Sequence, residues 1–592
     1  MKFRGTLGIL TAVGMSAGLL VACSSGEEEP PAEQSSAVDS AAAPADTVEA
    51  AKAENRNRRV DERFGDRPQV LAGEDRSGLE SSQLFFDKSE TAVVVGGAEP
   101  QRLRAVSLGM AAHAPVLGLT EDNAEQVKKE LSRLGAVTVL TVGDVRLDDA
   151  PEGIEFVHDP GGAEALSALT SLHFEQSAVA APQDMAKAVA DFNPSEPAEL
   201  VAEWLVAQKG AESSEDEAAE AVEGEAAAST ESEAQDKEIG SFPVQSARDG
   251  ATAPVVVASP QSPILDVANA RAYGAQVRMM DYPDPRVSEE ATKMVAGLED
   301  RSVVALGAGF GTGEQFAEKI NLAQTVTTEL PGGGTMVFPG RRMIALYGHP
   351  SGGALGVMGE QDPEGSVAYV RDLVAQYQEL NPAEPVIPAF EIIATVASEF
   401  PGEDGDYSNE ATPEELLPYI DAIVDAGGYA VLDLQPGRAN FLDQAKRYEE
   451  LLKRPNVGLA LDPEWRIGQD EQPLTRVGSV EAEEVNEVAD WLADLTKENN
   501  LPQKALVLHQ FQLQMLRDRE NIRTDHPELA YVLHADGHGV SEEKFDTWNV
   551  MRQDLGPGWF MAWKNFFDED TPMFTPEQTY AVDPRPWFVS YQ

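Results

Sequence analysis

Cysteine is almost missing from this chain. One stands in 592 residues, Cys23, so no disulfide can close within it. Positive charge is scarce as well: 45 Lys and Arg face 101 Asp and Glu, a formal net charge of -56. A surface of that sign is repelled by phosphate backbones, by anionic lipid and by anionic wall polymer. It excludes nucleic acid as a partner and an electrostatic hold on a membrane. It suits a protein facing salt, where screening weakens self-repulsion, and equally one that carries charge for solubility. After residue 22 no apolar run is long enough to span a bilayer. A dinucleotide fingerprint is also lacking. GAGFGTG (307–313) sets glycine at every second residue rather than as G-x-G-x-x-G, with no acidic partner about 20 residues on. It reads as a turn needing positive φ, and no nucleotide partner is expected.

What is present begins with a leader. Lys2 and Arg4 precede an apolar or small stretch over 6–22, which ends at Leu20-Val21-Ala22-Cys23 before a polar run. This resembles the bacterial lipoprotein signal, in which the cysteine becomes the lipid-bearing first residue of the mature protein. The resemblance implies that 1–23 is a signal peptide and that Cys23 is acylated. The body would then be held on the extracytoplasmic face of the cell membrane. Residues 24–68, rich in Ala, Ser, Pro and Glu with almost no aromatics, cannot build a core and read as a disordered tether.

Two stretches then show the same strand–helix–strand–helix–strand pattern. The first unit, 69–208, has strands at 91–97, 114–120 and 136–144, with helices at 102–113 and 121–135. The second, 241–330, has strands at 253–260, 275–281 and 302–309, with helices at 264–274 and 286–298. Between them, 209–240 is low-complexity. Its 211–239 portion holds 11 acidic residues against Lys237 alone and reads as a disordered insert. The motifs VVVGG (93–97), VSLGMAAHAPVLGLT (106–120) and LGAVTVLTVGD (134–144) resemble the cell-wall-binding repeat 2 family. GAQVRMM (274–280) and RSVVALGAG (301–309) repeat them more weakly. That family carries three copies and lies against anionic cell-wall polymer. Two copies are recognised here, and the acidity opposes such a contact.

The remainder, 331–592, organises the chain. Eight apolar runs recur at 343–348, 390–397, 429–434, 457–462, 504–511, 529–536, 559–564 and 586–591, near-continuous as in strands buried on both faces. Several gaps carry helical periodicity, clearest over 480–499. The expected fold class is therefore α/β, a duplicated small parallel-sheet module followed by a (β/α)8 barrel, with no helix after the eighth run.

Active sites of such barrels gather where strands feed into loops at their C-terminal ends. His349, Asp433, Asp462, Glu464, Arg466, His509, Gln510, His534, Asp536, His538, Trp563, Lys564, Asn565 and Asp568 fall at such positions. Four of the chain's eight histidines are among them. Glu391 opens its run rather than closing it, which puts it either at the bottom of the barrel or pointing inward. The region resembles the sugar-processing barrels in general form, which implies an envelope glycan as substrate or ligand. Hydrolysis of a glycoside needs two carboxylates. Glu464, or Asp462 beside it, supplies one, and Asp433, Asp536 or Asp568 the other. Trp465, Trp559, Trp563 and Trp587 are candidate sugar platforms, and Gln510 and Arg466 candidate substrate contacts. Lys564 stands where such barrels place a second carboxylate. The alternative chemistry is metal-assisted hydrolysis with His509, His534 and His538 as ligands. It would make a divalent metal the one cofactor of the chain. A third reading is a barrel without catalysis, binding wall polymer or scaffolding a partner, its rim charges serving as polar caps.

Overall fold

A computed structural model of the chain describes residues 64–149, 151–205, 240–244, 253–298 and 301–592. The leader, residues 24–63 of the tether and nearly all of the acidic insert lie outside the described residues. No helix among the described residues is long and apolar enough to cross a membrane.

Two four-stranded parallel sheets form the N-terminal half. In one, Thr91–Val95 lies between Val116–Gly118 and Thr138–Val142, with Glu155–His158 outside the last. In the other, Val255–Ala258 lies between Val277–Met279 and Val303–Leu306, with Gln69–Leu71 outside. Both place the first strand of the unit between its second and third, so the duplication is topological as well as sequential. Gln69–Leu71 precedes the first unit in the chain yet completes the second unit's sheet. The paired glycines of the motif have a steric reason. Gly96 N donates to Val142 O at 3.1 Å, and a Cβ on Gly143 (φ 77°) would lie 2.3 Å from Gly96 O. Two strand ends leave the sheet in backbone contact there, and no side chain fits.

Within the first unit, after its four-stranded sheet, comes a separate parallel pair, Glu175–Val179 and Ala198–Ala202, joined through the helix Met185–Ala190. The helices Glu99–Ala111, Met185–Ala190 and Ile264–Tyr273 pack on one another. Arg104 of the first of them ties that strand pair to the first unit's sheet. It donates to Asp159 Oδ2 from Nε at 2.5 Å, to Asp159 Oδ1 from Nη2 at 2.8 Å, and to Glu199.

The C-terminal half is a closed barrel of eight parallel strands. In order these are Arg342–Gly348, Val386–Ala397, Tyr429–Leu434, Val457–Leu461, Lys504–His509, Leu529–Ala535, Trp559–Asn565 and Phe588–Tyr591. Strand one pairs with both strand two and strand eight, which closes the ring. All eight apolar runs are strands. α-Helices follow strands one to four, six and seven, whereas the 19 residues after strand five carry no α-helix, only the short 3₁₀ turns Leu513–Met515 and Arg519–Asn521 and the two-residue strand Leu516–Arg517, paired with Val480–Glu481. One apolar core lies between the strands and their helices and a second fills the barrel. Phe338, 5.5 Å from Phe560 and 5.9 Å from Trp587, closes the N-terminal end. The second α/β unit leans on the barrel: Arg286, ion-paired to Asp284, donates to Pro527 O at 2.6 Å, and Glu318 pairs with Lys497 at 2.8 Å.

Candidate functional site

The strands look continuously apolar in sequence, yet inside the barrel they alternate. The inner core is built from every second residue: Met343 and Ala345, Ile387 and Ala389, Tyr429 and Val431, Ala460, Ala505 and Val507, Ala530 and Val532, Ala562, Phe588. The next inward position toward the C-terminal end of each strand is polar or ionisable. Strand by strand these are Tyr347, Glu391, Asp433, Asp462, His509, His534, Lys564 and Ser590, all buried. A period of two carries each inward row from apolar packing into a polar layer at one end of the barrel. Asp536, one inward step beyond His534, and the half-buried Glu464, on the turn Pro463–Trp465, lie above that layer.

His509 is the centre of the layer. Its Nδ1 donates to Asp536 Oδ2 at 2.9 Å, and its Nε2 lies 3.0 Å from Glu391 Oε1 and 3.9 Å from Asp433 Oδ1. His534 Nδ1 is 3.5 Å from the same Glu391 oxygen, and its Nε2 is 3.0 Å from Ser590 Oγ. Tyr347 donates to Asp433 Oδ2 at 2.8 Å, with Gln435 Nε2 3.3 Å from the phenol oxygen. Lys564 Nζ lies 3.7 Å from the centre of the Tyr347 ring. The cations found on these carboxylates are imidazoles: among the described residues no Arg or Lys ion-pairs with Glu391, Asp433, Asp462 or Glu464.

Burial drives the electrostatics. It pushes Asp433 up to about 6 against the pull of His509, and Glu464 up to about 7 with added repulsion from Asp536. Asp462 is raised by burial and by Glu464. Burial alone would raise Glu391 and lower His509. Their mutual attraction, with His534 and Asp536 contributing, outweighs it and holds Glu391 down and His509 up. The carboxyls thus divide into ionised groups against the histidines and groups that keep a proton near neutrality, as acid–base chemistry requires.

The layer is not satisfied from within. Glu391 Oε2, Asp433 Oδ1, His534 Nδ1 and Asp536 Oδ1 are buried without a hydrogen-bond partner. Each such atom costs ~1–3 kcal/mol unless something binds it. Four around one chamber are too many for a layer that serves stability alone.

The residues singled out in the sequence divide accordingly. Asp433, Asp462, Asp536, His509, His534 and Lys564 meet in the chamber, and Glu464 overlooks it. Glu391 points inward, the second of its two expected placements, because strand two begins at Val386 rather than near 390. His538 does not join His509 and His534; it is exposed, its ring 5.6 Å from Phe566, and Glu391 completes that cluster instead. Trp563 turns outward, stacked on Phe574 at 5.4 Å and edge-on to Trp548, because it alternates with the inward Ala562 and Lys564. Trp559 packs on Tyr531, and Trp587 on Phe338, at the opposite end of the barrel, so Trp465 is the platform candidate left at the C-terminal end. Gln510 is spent inside its own loop, donating to Gln512 O and Leu513 O and accepting from Arg519. Arg466 is held by Glu484 at 3.1 Å. His349 accepts from Ser351 N at 3.0 Å as a loop cap, and Asp568 is exposed. Tyr347 and Ser590 were missed. The inward row i, i+2, i+4, small residues giving way to a polar one, is the signal that would have found them.

Fold and site together define an eight-stranded parallel barrel with a buried acid–imidazole chamber at its C-terminal mouth. No protein-family model matches the chain, and no curated protein matches it in sequence.

Proposed function

We propose that this is a lipid-anchored cell-envelope protein whose barrel is a hydrolase acting on an envelope carbohydrate. The observation that carries the reading is the chamber: carboxylates from strands two, three and six converge with unpartnered oxygens, beside Asp462 of strand four, at the C-terminal end of a closed barrel. A barrel that only recognised or scaffolded would be expected to neutralise them with Arg466 or Lys564. Arg466 is engaged by Glu484, and Lys564 lies on an aromatic ring. Glu464, protonated near neutrality and set on the rim beside Trp465, is the proton donor. The wider placement rests on Cys23 and its leader and on the duplicated α/β units. The extra strand–helix–strand pair at the end of the first unit supports the likeness to wall-binding repeats.

The test is turnover of envelope glycan preparations by the full chain, products read by mass spectrometry, beside Glu464→Gln. Wild type should release product, and the variant should be slower by ~10²-fold or more at unchanged binding. Equal turnover in the two proteins would remove Glu464 from the chemistry. Glycan bound and recovered intact by wild type would overturn the hydrolase.

A further inference from the structure

The strongest unassigned feature is the set of atoms at the floor of the chamber, and its interpretation rests on the reading of that chamber as an active site. We infer that Glu391, His509 and His534, with Asp433 beside them as a second carboxylate, form a binding site for one divalent transition-metal ion, zinc foremost. Four observations support this.

The first is spacing. A tetrahedral ion with bonds of about 2.0–2.1 Å holds its ligand atoms about 3.3 Å apart. His509 Nε2 and Glu391 Oε1 are 3.0 Å apart, His534 Nδ1 and Glu391 Oε1 3.5 Å, and His509 Nε2 and Asp433 Oδ1 3.9 Å. One ligand atom each from Glu391, His509 and His534 lies within 4.8 Å of the others. The second is that two of the atoms in that spacing, Asp433 Oδ1 and His534 Nδ1, are left without hydrogen-bond partners on side chains with no exposure at all.

The third is the outer ring of contacts. Both histidine ligands and the neighbouring Asp433 have their other polar atom fixed from behind: His509 Nδ1 by Asp536, His534 Nε2 by Ser590 and Asp433 Oδ2 by Tyr347. Such partners set the ring orientation and leave the remaining atom free to ligate. The fourth is charge and donor type. Two carboxylates and two imidazoles, His509 giving up its proton as the metal binds, balance a doubly charged ion. Two nitrogens with two oxygens suit a borderline metal and not calcium or magnesium, which take oxygen alone. The exposed acidic group Asp404, Asp406 and Glu410 offers oxygens only and supplies a control.

The experiment uses the full-length chain, stripped with dipicolinate. It is titrated with zinc chloride and separately with cobalt(II) chloride, reading bound metal by mass spectrometry and cobalt by its visible absorption. The expected result is one equivalent per chain, with the intense absorption of low-coordinate cobalt. Glu391→Gln and His534→Gln should weaken binding at least ~10-fold, while His538→Gln and Asp406→Asn leave it unchanged. Should the first two variants misfold by circular dichroism, the wild-type chain decides through its cobalt spectrum and a metal-dependent rise in Tm. No bound equivalent, or an equivalent retained by folded Glu391→Gln and His534→Gln, overturns the site. Glycan turnover that persists in a metal-free chain overturns the metal and leaves the hydrolase. Metal bound by these ligands without turnover of any envelope glycan does the reverse.

Discussion

Asp266 shows how much one buried carboxyl can set in this chain. It sits in the helix Ile264–Tyr273, accepts from Ser81 Oγ at 2.5 Å and leaves Oδ2 without a partner. Burial pushes it from 3.8 up to about 7, against the Ser81 hydrogen bond and with help from Glu80 and Asp75. The folded chain therefore keeps a proton that the unfolded chain releases above about pH 4. The contribution to stability is full below that pH, falls as pH rises to about 7, and is flat beyond, with a limiting slope of ~1.4 kcal/mol per pH unit. Asp266→Asn should remove this slope and make the α/β units more stable at pH 8 than those of wild type. Urea unfolding at pH 5 and pH 8 checks it, and identical pH slopes in the two proteins would mean that Asp266 is ionised in the fold. The same reasoning separates Asp266 from the chamber carboxyls: its hydroxyl partner and apolar surroundings form a packing solution, with no imidazole or open mouth beside it.

At the scale of elements, legibility depended on how each element is buried. The eight barrel strands were readable because both their faces are covered, which forces apolar side chains at successive positions. That same continuity concealed which residues face inward, and hence Tyr347, Ser590 and the orientation of Glu391. The strand Glu175–Val179 went unread for the opposite reason: four of its five residues are exposed, so EQSAV carries no apolar signal. What holds its unit in place is a charge cluster. Arg104 bridges Asp159, at the end of one sheet, and Glu199, in the strand Ala198–Ala202. Arg104→Met would leave both acids buried without a cation, and a loss of ~3–5 kcal/mol is expected in chemical unfolding. A loss below ~1 kcal/mol would show that water replaces the guanidinium and that the helix packing alone holds the unit.

For the whole molecule, a net charge of -56 is a standing repulsion spread over a 63.7 kDa chain. Screening acts within ~10 Å at 0.1 M salt and ~3 Å at 1 M, so added sodium chloride should relieve it. Tm is expected to rise between 0.05 and 1 M sodium chloride, with most of the gain in the lower part of that range, as followed by scanning calorimetry. A Tm that falls with salt would mean that ion pairs such as Arg286 with Asp284 and, between parts, Lys497 with Glu318 outweigh the repulsion. By itself the sequence determined the strand count, the barrel and the duplication. Each is a property of neighbouring residues, set by periodicity, by composition or by a short motif. It also brought six chamber residues to strand ends, because strand termini are local too. Only the tertiary structure decided which of them meet. Glu391 and His509 are 118 residues apart, and His534 and Ser590 are 56. They come together because the ring closes through strands one and eight in one register, with one face of every strand turned inward. His538, two residues past Asp536 in a loop outside that register, is left in solvent.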